Sequence, residues 1–157
     1  MKISRIVING FIIYIAIALF FTFMEVLGIT EQVYLRLINF IFVIYGVNRT
    51  IKQDYKDRIK GYFTNLTSAF LTAMVSVVLS LVSFIIYAEI RGGEAYIDGY
   101  IESFIFGGDP SLYQFVMGLF LEGSAASLIV AFAMMQYWKN KVDAVNVVDD
   151  INHNHPE

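Results

Sequence analysis

The longest apolar runs of this chain carry no polar face. From Ile6 to Met24, IVINGFIIYIAIALFFTFM has no ionisable side chain, and neither does LTSAFLTAMVSVVLSLVSFIIYA, from Leu66 to Ala88. A helix on the surface of a soluble bundle shows polar residues on its outer side with a period of 3.6. These runs do not, and each approaches or exceeds the roughly 20 residues that carry a helix across a bilayer. A further run, Leu112 to Trp138, is interrupted only by Glu122. The remaining one, LINFIFVIYGVN from Leu37 to Asn48, is uncharged but short. It reaches spanning length when counted from Val33 to Ile51, with Arg36 and Arg49 near its ends. The pattern predicts an all-α, integral membrane four-helix bundle with spans over residues 6–29, 32–51, 63–90 and 112–138.

Composition agrees. Of the 157 residues, 57% are hydrophobic and 16% charged, against about 25% charged in a typical soluble domain. One domain accommodates the length. The net charge of −3 implies no basic surface for nucleic acid. The absence of cysteine excludes disulfides, thiolate metal sites and cysteine nucleophiles. Lys2 and Arg5 before the first run resemble the start of a signal peptide, but the run exceeds an h-region of about 7–15 residues. EVLGITEQ, which follows it, offers no small-x-small cleavage site.

The basic residues set an orientation. Lys2 and Arg5 precede the first span, Arg49, Lys52, Lys56, Arg58 and Lys60 lie around the connection to the third, and Lys139 and Lys141 follow the fourth. EVLGITEQ has no Lys or Arg. EIRGGEAYIDGYIESFIFGGDP, before the fourth span, has one Arg against Glu89, Glu94, Asp98, Glu102 and Asp109. The positive-inside rule then puts both termini and the middle loop in the cytoplasm. Tyr62, Tyr137 and Trp138 fall in the inner aromatic belt, and Tyr34, Tyr87 and Tyr113 in the outer one. The sequons at Asn48 and Asn65 lie on the cytoplasmic side, out of reach of glycosylation. Residues 139–157 read as a polar, disordered tail. Its His153 and His155 suit a solvated segment better than a metal site. In the outer loop, YIDGYIESFIF places Ile97, Tyr100, Ile101, Phe104 and Ile105 near one helical face, the pattern of a short interfacial helix. It reads as a lid on the bundle or as a partner surface, the lid being the simpler.

Polar residues inside the runs are the candidate chemistry. Ser68, Thr72, Ser76, Ser80 and Ser83 recur at steps of four, four, four and three, and Gly123, Ser127 and Ala131 at steps of four. Small and hydroxyl residues let membrane helices approach closely. Both stripes read as packing faces, the alternative being a polar wall along a solvent path. Glu25 and Arg36 flank the first hairpin at similar depth, as an ion-paired staple, a site, or with Arg36 snorkelling alone. Glu122 sits about 15 Å from the start of its helix at 1.5 Å per residue, where a charge costs about 2.5–3.5 kcal/mol. Gly118 and Ala126 on either side suggest that it faces the bundle interior, protonated, paired with Arg36, or bonded to the serine stripe or Asn39. It is either an assembly clamp or a proton- or ion-handling group. No nucleophile–base pair, metal-ligand cluster or phosphate loop is present, so neither catalysis nor a cofactor is expected.

One stretch carries a resemblance. INFIFVIYGVNRTIKQDYKDRIKGYFTNLTSAFLTAMVSVVLSLVSFIIYAEI, with IK and YK within Ile51–Lys56, GYF at Gly61–Phe63 and a hydroxyl-rich third helix ending in IIYAEI, resembles a family of small bacterial four-span membrane proteins catalogued as a domain of unknown function. The resemblance covers residues 1–138. It implies the bacterial inner (cytoplasmic) membrane and the same four-helix layout, and assigns no activity or functional residue. The expected role is a non-catalytic accessory or assembly subunit, in contact with lipid and with a second copy or another membrane protein. The alternative is a small proton- or ion-coupled transporter using Glu122.

Overall fold

The computed structural model describes residues 1–29, 33–59, 61–98, 100 and 110–153, with the side chains of Val33, Arg36 and 140–153 left aside. The described residues are helical with short connections. Helix α1 spans Ile3–Leu27 and a 3-10 segment spans Val33–Ile38. Helix α2 follows over Asn39–Lys56, α3 over Tyr62–Arg91, the short α4 over Glu94–Ile97 and α5 over Leu112–His153.

Local chemistry sets these limits. α1 ends where Gly28 adopts φ 68°, and the Gly28 and Ile29 N–H groups donate to the carbonyls of Glu25 and Met24. That left-handed cap suits a residue without Cβ. α3 begins after Gly61, and the buried Asn65 amide donates to the carbonyls of Ile59 and Gly61 at 3.1 and 2.9 Å, binding the turn to the helix. It ends at Gly92 and Gly93, both with positive φ. Ser111 and Gln114 form a reciprocal capping box that starts α5.

Three helices are long and apolar enough to cross a membrane: Ile3–Leu27, Tyr62–Arg91 and Leu112–Lys139. The fourth expected span differs. Instead of one helix over 32–51, the segment begins as 3-10 structure and becomes an α-helix only at Asn39, which then runs on to Lys56. α2 is amphipathic: Gly46, Val47, Thr50, Ile51 and Asp54 recur at helical spacing and are all buried. Thr50 and Asp54 are therefore part of the helix and point inward, while Arg49, Lys52 and Lys56 of the same stretch are helical and exposed. The expected disordered tail is helical backbone as far as His153, across a stretch without Gly or Pro to stop it. Most of the expected interfacial helix, 101–109, lies outside the described residues.

α1 and α3 run one way, α2 and α5 the other. α3 packs against α1, α2 and α5, and α2 also touches α1 and α5. α2 and α3 thus hold the short diagonal of the bundle, with α1 and α5 at its far corners. Close approach depends on small residues. A Cβ on Gly10 would lie 2.7 Å from Val75 Cβ and 2.8 Å from the Thr72 carbonyl oxygen of α3, and one on Gly123 would lie 3.0 Å from a Val77 methyl.

The distribution of polarity is inside-out. Asn9, Thr50, Asp54, Ser68, Thr72 and Ser76 are at most 1% exposed, while Leu19, Phe23, Ile41, Phe63 and Ile129 are all more than half exposed. One apolar cluster (Val47, Ile51, Ala69, Ala73, Val130, Met135, Trp138) fills the end bearing the basic residues. A second joins Ala88, Ile97, Tyr100, Leu112, Phe115 and Val116 at the opposite end. The described part of the loop after α3 folds back onto this second cluster.

Candidate functional site

Polar side chains gather in two places. The first is a clasp at the basic end. Arg5 bonds Asp54 at 2.6 Å and also Asp57, which Lys2 meets at 2.7 Å. One turn deeper, the Asn9 amide donates to Thr50 Oγ1 at 2.9 Å and to Gln53 Oε1 at 3.0 Å, and Thr50 shares a hydrogen bond with Thr72. Trp138 Nε1 donates to Asn48 Oδ1 at 2.8 Å, tying α5 to α2. Every member of this network reaches another helix, so it locks α1, α2, α3 and α5 in register. Hydrogen bonds from Lys2, and then from Arg5, hold the Asp57 carboxyl down at about 2, from an ordinary 3.8.

The second place is a cleft of about 540 Å³ at the opposite end, between the far-corner helices α1 and α5, floored by α3 and reaching the start of α2. Its walls are apolar and aromatic. Phe21 stacks edge-on to Phe84 and Tyr87, and Phe84 meets Phe115 at 6.1 Å between ring centroids, a continuous bridge from α1 to α5. At its mouth stands Glu25. It accepts hydrogen bonds from Tyr87, Arg91 and Tyr96, each at 3.1 Å, and Tyr96 shares one with Tyr100. Arg91 also donates to Tyr87 Oη and lies 5.5 Å from the centre of that ring. Burial, and then the bond with Tyr100, push the Tyr96 phenol up, so it stays protonated as a donor. Deeper, about 20 Å from the end of α1 at 1.5 Å per residue, Tyr14 and Ser83 share a 2.8 Å hydrogen bond. Ser80 Oγ and Asn39 Oδ1, also in the lining, are buried without a hydrogen-bond partner among the described residues.

The structure redistributes the residues read from the sequence. Glu25 and Asn39 do share one cleft. Glu25 is ion-paired with Arg91, which the return of α3 brings to the end of α1; the side chain of Arg36, the partner expected for it, lies outside the described residues. Glu122, expected in the interior, is exposed, lines neither polar centre and makes no hydrogen bond or ion pair among the described residues. It lies five residues before the buried Ser127, about 140° away around the helix at 3.6 residues per turn. The serine stripe divides. Ser68, Thr72 and Ser76 are buried among helices, whereas Ser80 and Ser83 line the cleft. Gly123 and Ser127 belong to the α3-facing side of α5, and Ser127 Oγ donates to the Gly123 carbonyl within its own helix. The clasp residues Arg5, Asn9, Thr50, Gln53 and Asp54 were not singled out from the sequence. Asn9, a lone amide in an apolar run, was the available signal.

No three His, Asp or Glu side chains converge as metal ligands among the described residues. Compared with protein-family models, curated proteins and solved structures, the chain matches none of them.

Proposed function

We propose that this chain is a non-catalytic integral membrane protein, crossing a bacterial cytoplasmic membrane four times with both termini inside, that serves as an accessory or assembly subunit by docking a helix of a membrane partner against α5. The inside-out polarity, the three long apolar helices and the basic end support the membrane placement. The 3-10 segment and α2 together are long enough to cross, at about 2 and 1.5 Å per residue.

One observation carries the assembly role: Glu122 is exposed about midway along the apolar part of α5. An acid facing lipid at that depth costs about 2.5–3.5 kcal/mol, and nothing in the bundle offsets it. A partner helix with a donor at that depth does. Ala125 and Ala126, one turn on, leave room for its backbone. The alternative, a small proton- or ion-coupled transporter using Glu122, has less support, because Glu122 lies outside the cleft.

The test places a photo-cross-linking residue at Leu121, beside Glu122, in native membranes. A discrete protein adduct is expected, and Glu122→Leu should lower its yield about fivefold, the equivalent of about 1 kcal/mol for an intramembrane polar contact. The same probe at the exposed Phe23 of α1 should give none. A Leu121 adduct indifferent to Glu122→Leu, or no adduct, contradicts the docking role. Gradient-driven flux in proteoliposomes that Glu122→Gln abolishes would establish the carrier instead.

A further inference from the structure

The cleft between α1 and α5 is shaped as a ligand site. Its volume of about 540 Å³ falls within the roughly 300–1,000 Å³ of small-molecule pockets. At about 30 Å³ per water-sized group it holds on the order of 18 non-hydrogen atoms. Most of its lining is apolar, and its few polar groups are sorted by position.

At the mouth, charge is balanced. Glu25 already accepts three hydrogen bonds, one from the guanidinium of Arg91. An incoming cation would have to displace Arg91, and an incoming anion would meet Glu25, so the mouth favours an uncharged guest. Deeper in, the balance fails. Asn39 Oδ1 is a buried acceptor and Ser80 Oγ a buried hydroxyl, both unpartnered. Burying such groups unpaired costs about 1–3 kcal/mol each. Thr72 and Ser76, two steps and one step earlier on the Ser80 face of α3, send their hydroxyls back to the carbonyls of Ser68 and Ala73, both at 2.7 Å; Ser80 makes no such bond. Asn39 and Ser80 both line the cleft, with their oxygens closed off from its open space; rotation about χ1 turns each toward a donor there, while the rings of Phe21, Phe84 and Phe115 provide flat apolar contact for the rest of a molecule.

From this we infer that the cleft binds one uncharged, mainly apolar molecule bearing a hydroxyl or amide N–H. Its polar head bonds Asn39 and Ser80, its body lies against the aromatic bridge, and Tyr87, Tyr96 and the Glu25–Arg91 pair cover the mouth. This site uses none of the α5 surface around Glu122 and stands or falls separately from the docking role.

The experiment uses the full chain in detergent and two photoreactive probes, 4-hydroxybenzophenone and benzophenone, which differ by one hydroxyl. Labelled residues are mapped by mass spectrometry over a concentration series. The hydroxylated probe should label Phe21, Phe84 or Leu119 saturably, at about fivefold lower half-saturation than benzophenone, as one net hydrogen bond provides. Asn39→Leu with Ser80→Ala should abolish that preference while leaving benzophenone labelling unchanged. Leu119→Trp should remove saturable labelling by filling the cleft. Ala18→Phe fills the same space from α1, should Leu119→Trp fail to elute as a folded species. Non-saturable labelling spread over exposed apolar positions, equal half-saturation for the two probes, or a preference that survives the Asn39 and Ser80 substitutions would each overturn the inference.

Discussion

Replacing Arg5 by leucine should destabilise the bundle by about 3–5 kcal/mol, the usual consequence of leaving a buried charge without its partner. Asp54 is 1% exposed and one of its oxygens already lacks a hydrogen bond, so removal of Arg5 strands the carboxylate. The reverse substitution should be milder. In Asp54→Leu, Arg5 keeps Asp57 and retains some solvent contact, its side chain being 15% exposed. The double variant Arg5→Leu/Asp54→Leu should recover much of the loss, because an apolar pair of similar volume often replaces a buried ion pair without penalty. Unfolding of the purified protein by SDS in mixed micelles reads all three. Equal costs for the two single variants would show that the clasp is not organised around Arg5. Acid should loosen the outer part of the same clasp. Because the Asp57 carboxyl is held at about 2 in the folded chain, against 3.8 ordinarily, its contribution is complete above about pH 4 and is lost as the pH falls through 2.

Gly10→Ala comes next in expected effect. The added methyl would meet the Thr72 carbonyl oxygen at 2.8 Å and Val75 Cβ at 2.7 Å. A backbone oxygen does not move aside as the end of a long side chain does, so α1 and α3 must separate. Overpacking of this kind costs about 1–3 kcal/mol, and the shift also stretches the Asn9–Thr50–Thr72 network one position away. Gly123→Ala meets only valine methyls, the nearest at 3.0 Å, and should cost less. The same SDS titration ranks the two. A tolerated Gly10→Ala would mean that α1 and α3 are not held as closely as described.

The first, third and last helices were legible because apolarity there is continuous and long. α2 was legible only as far as Ile51, because the last turns of its inward face are polar. Thr50, Gln53 and Asp54 look like a solvated loop when hydropathy is averaged, yet they fall at helical spacing with Gly46 and Val47. Asn9 shows the same effect within α1: an amide carries no charge to stand out in an apolar run. Glu25 was singled out without Arg91, since that pairing spans 66 residues of sequence and depends on where α3 ends. The exposure of Glu122 could have been anticipated from the stripe at Gly123, Ser127 and Ala131. A residue adjacent to Gly123 is turned about 100° from that stripe, whereas the small size of Gly118 and Ala126 carries no information on direction. The cleft needed the fold, because no helix contributes more than part of it.

Four crossings rather than three is the point on which the orientation, the depth of Glu122 and the placement of the clasp all rest. The chain has no cysteine, so single cysteines at Lys56 and Glu94 can be probed in intact cells with a membrane-impermeant maleimide. The prediction is that Glu94→Cys reacts from outside and Lys56→Cys only after permeabilisation. Labelling of Lys56→Cys in unbroken cells would place the α2–α3 connection outside, leave α2 short of a full crossing, and contradict the four-span arrangement.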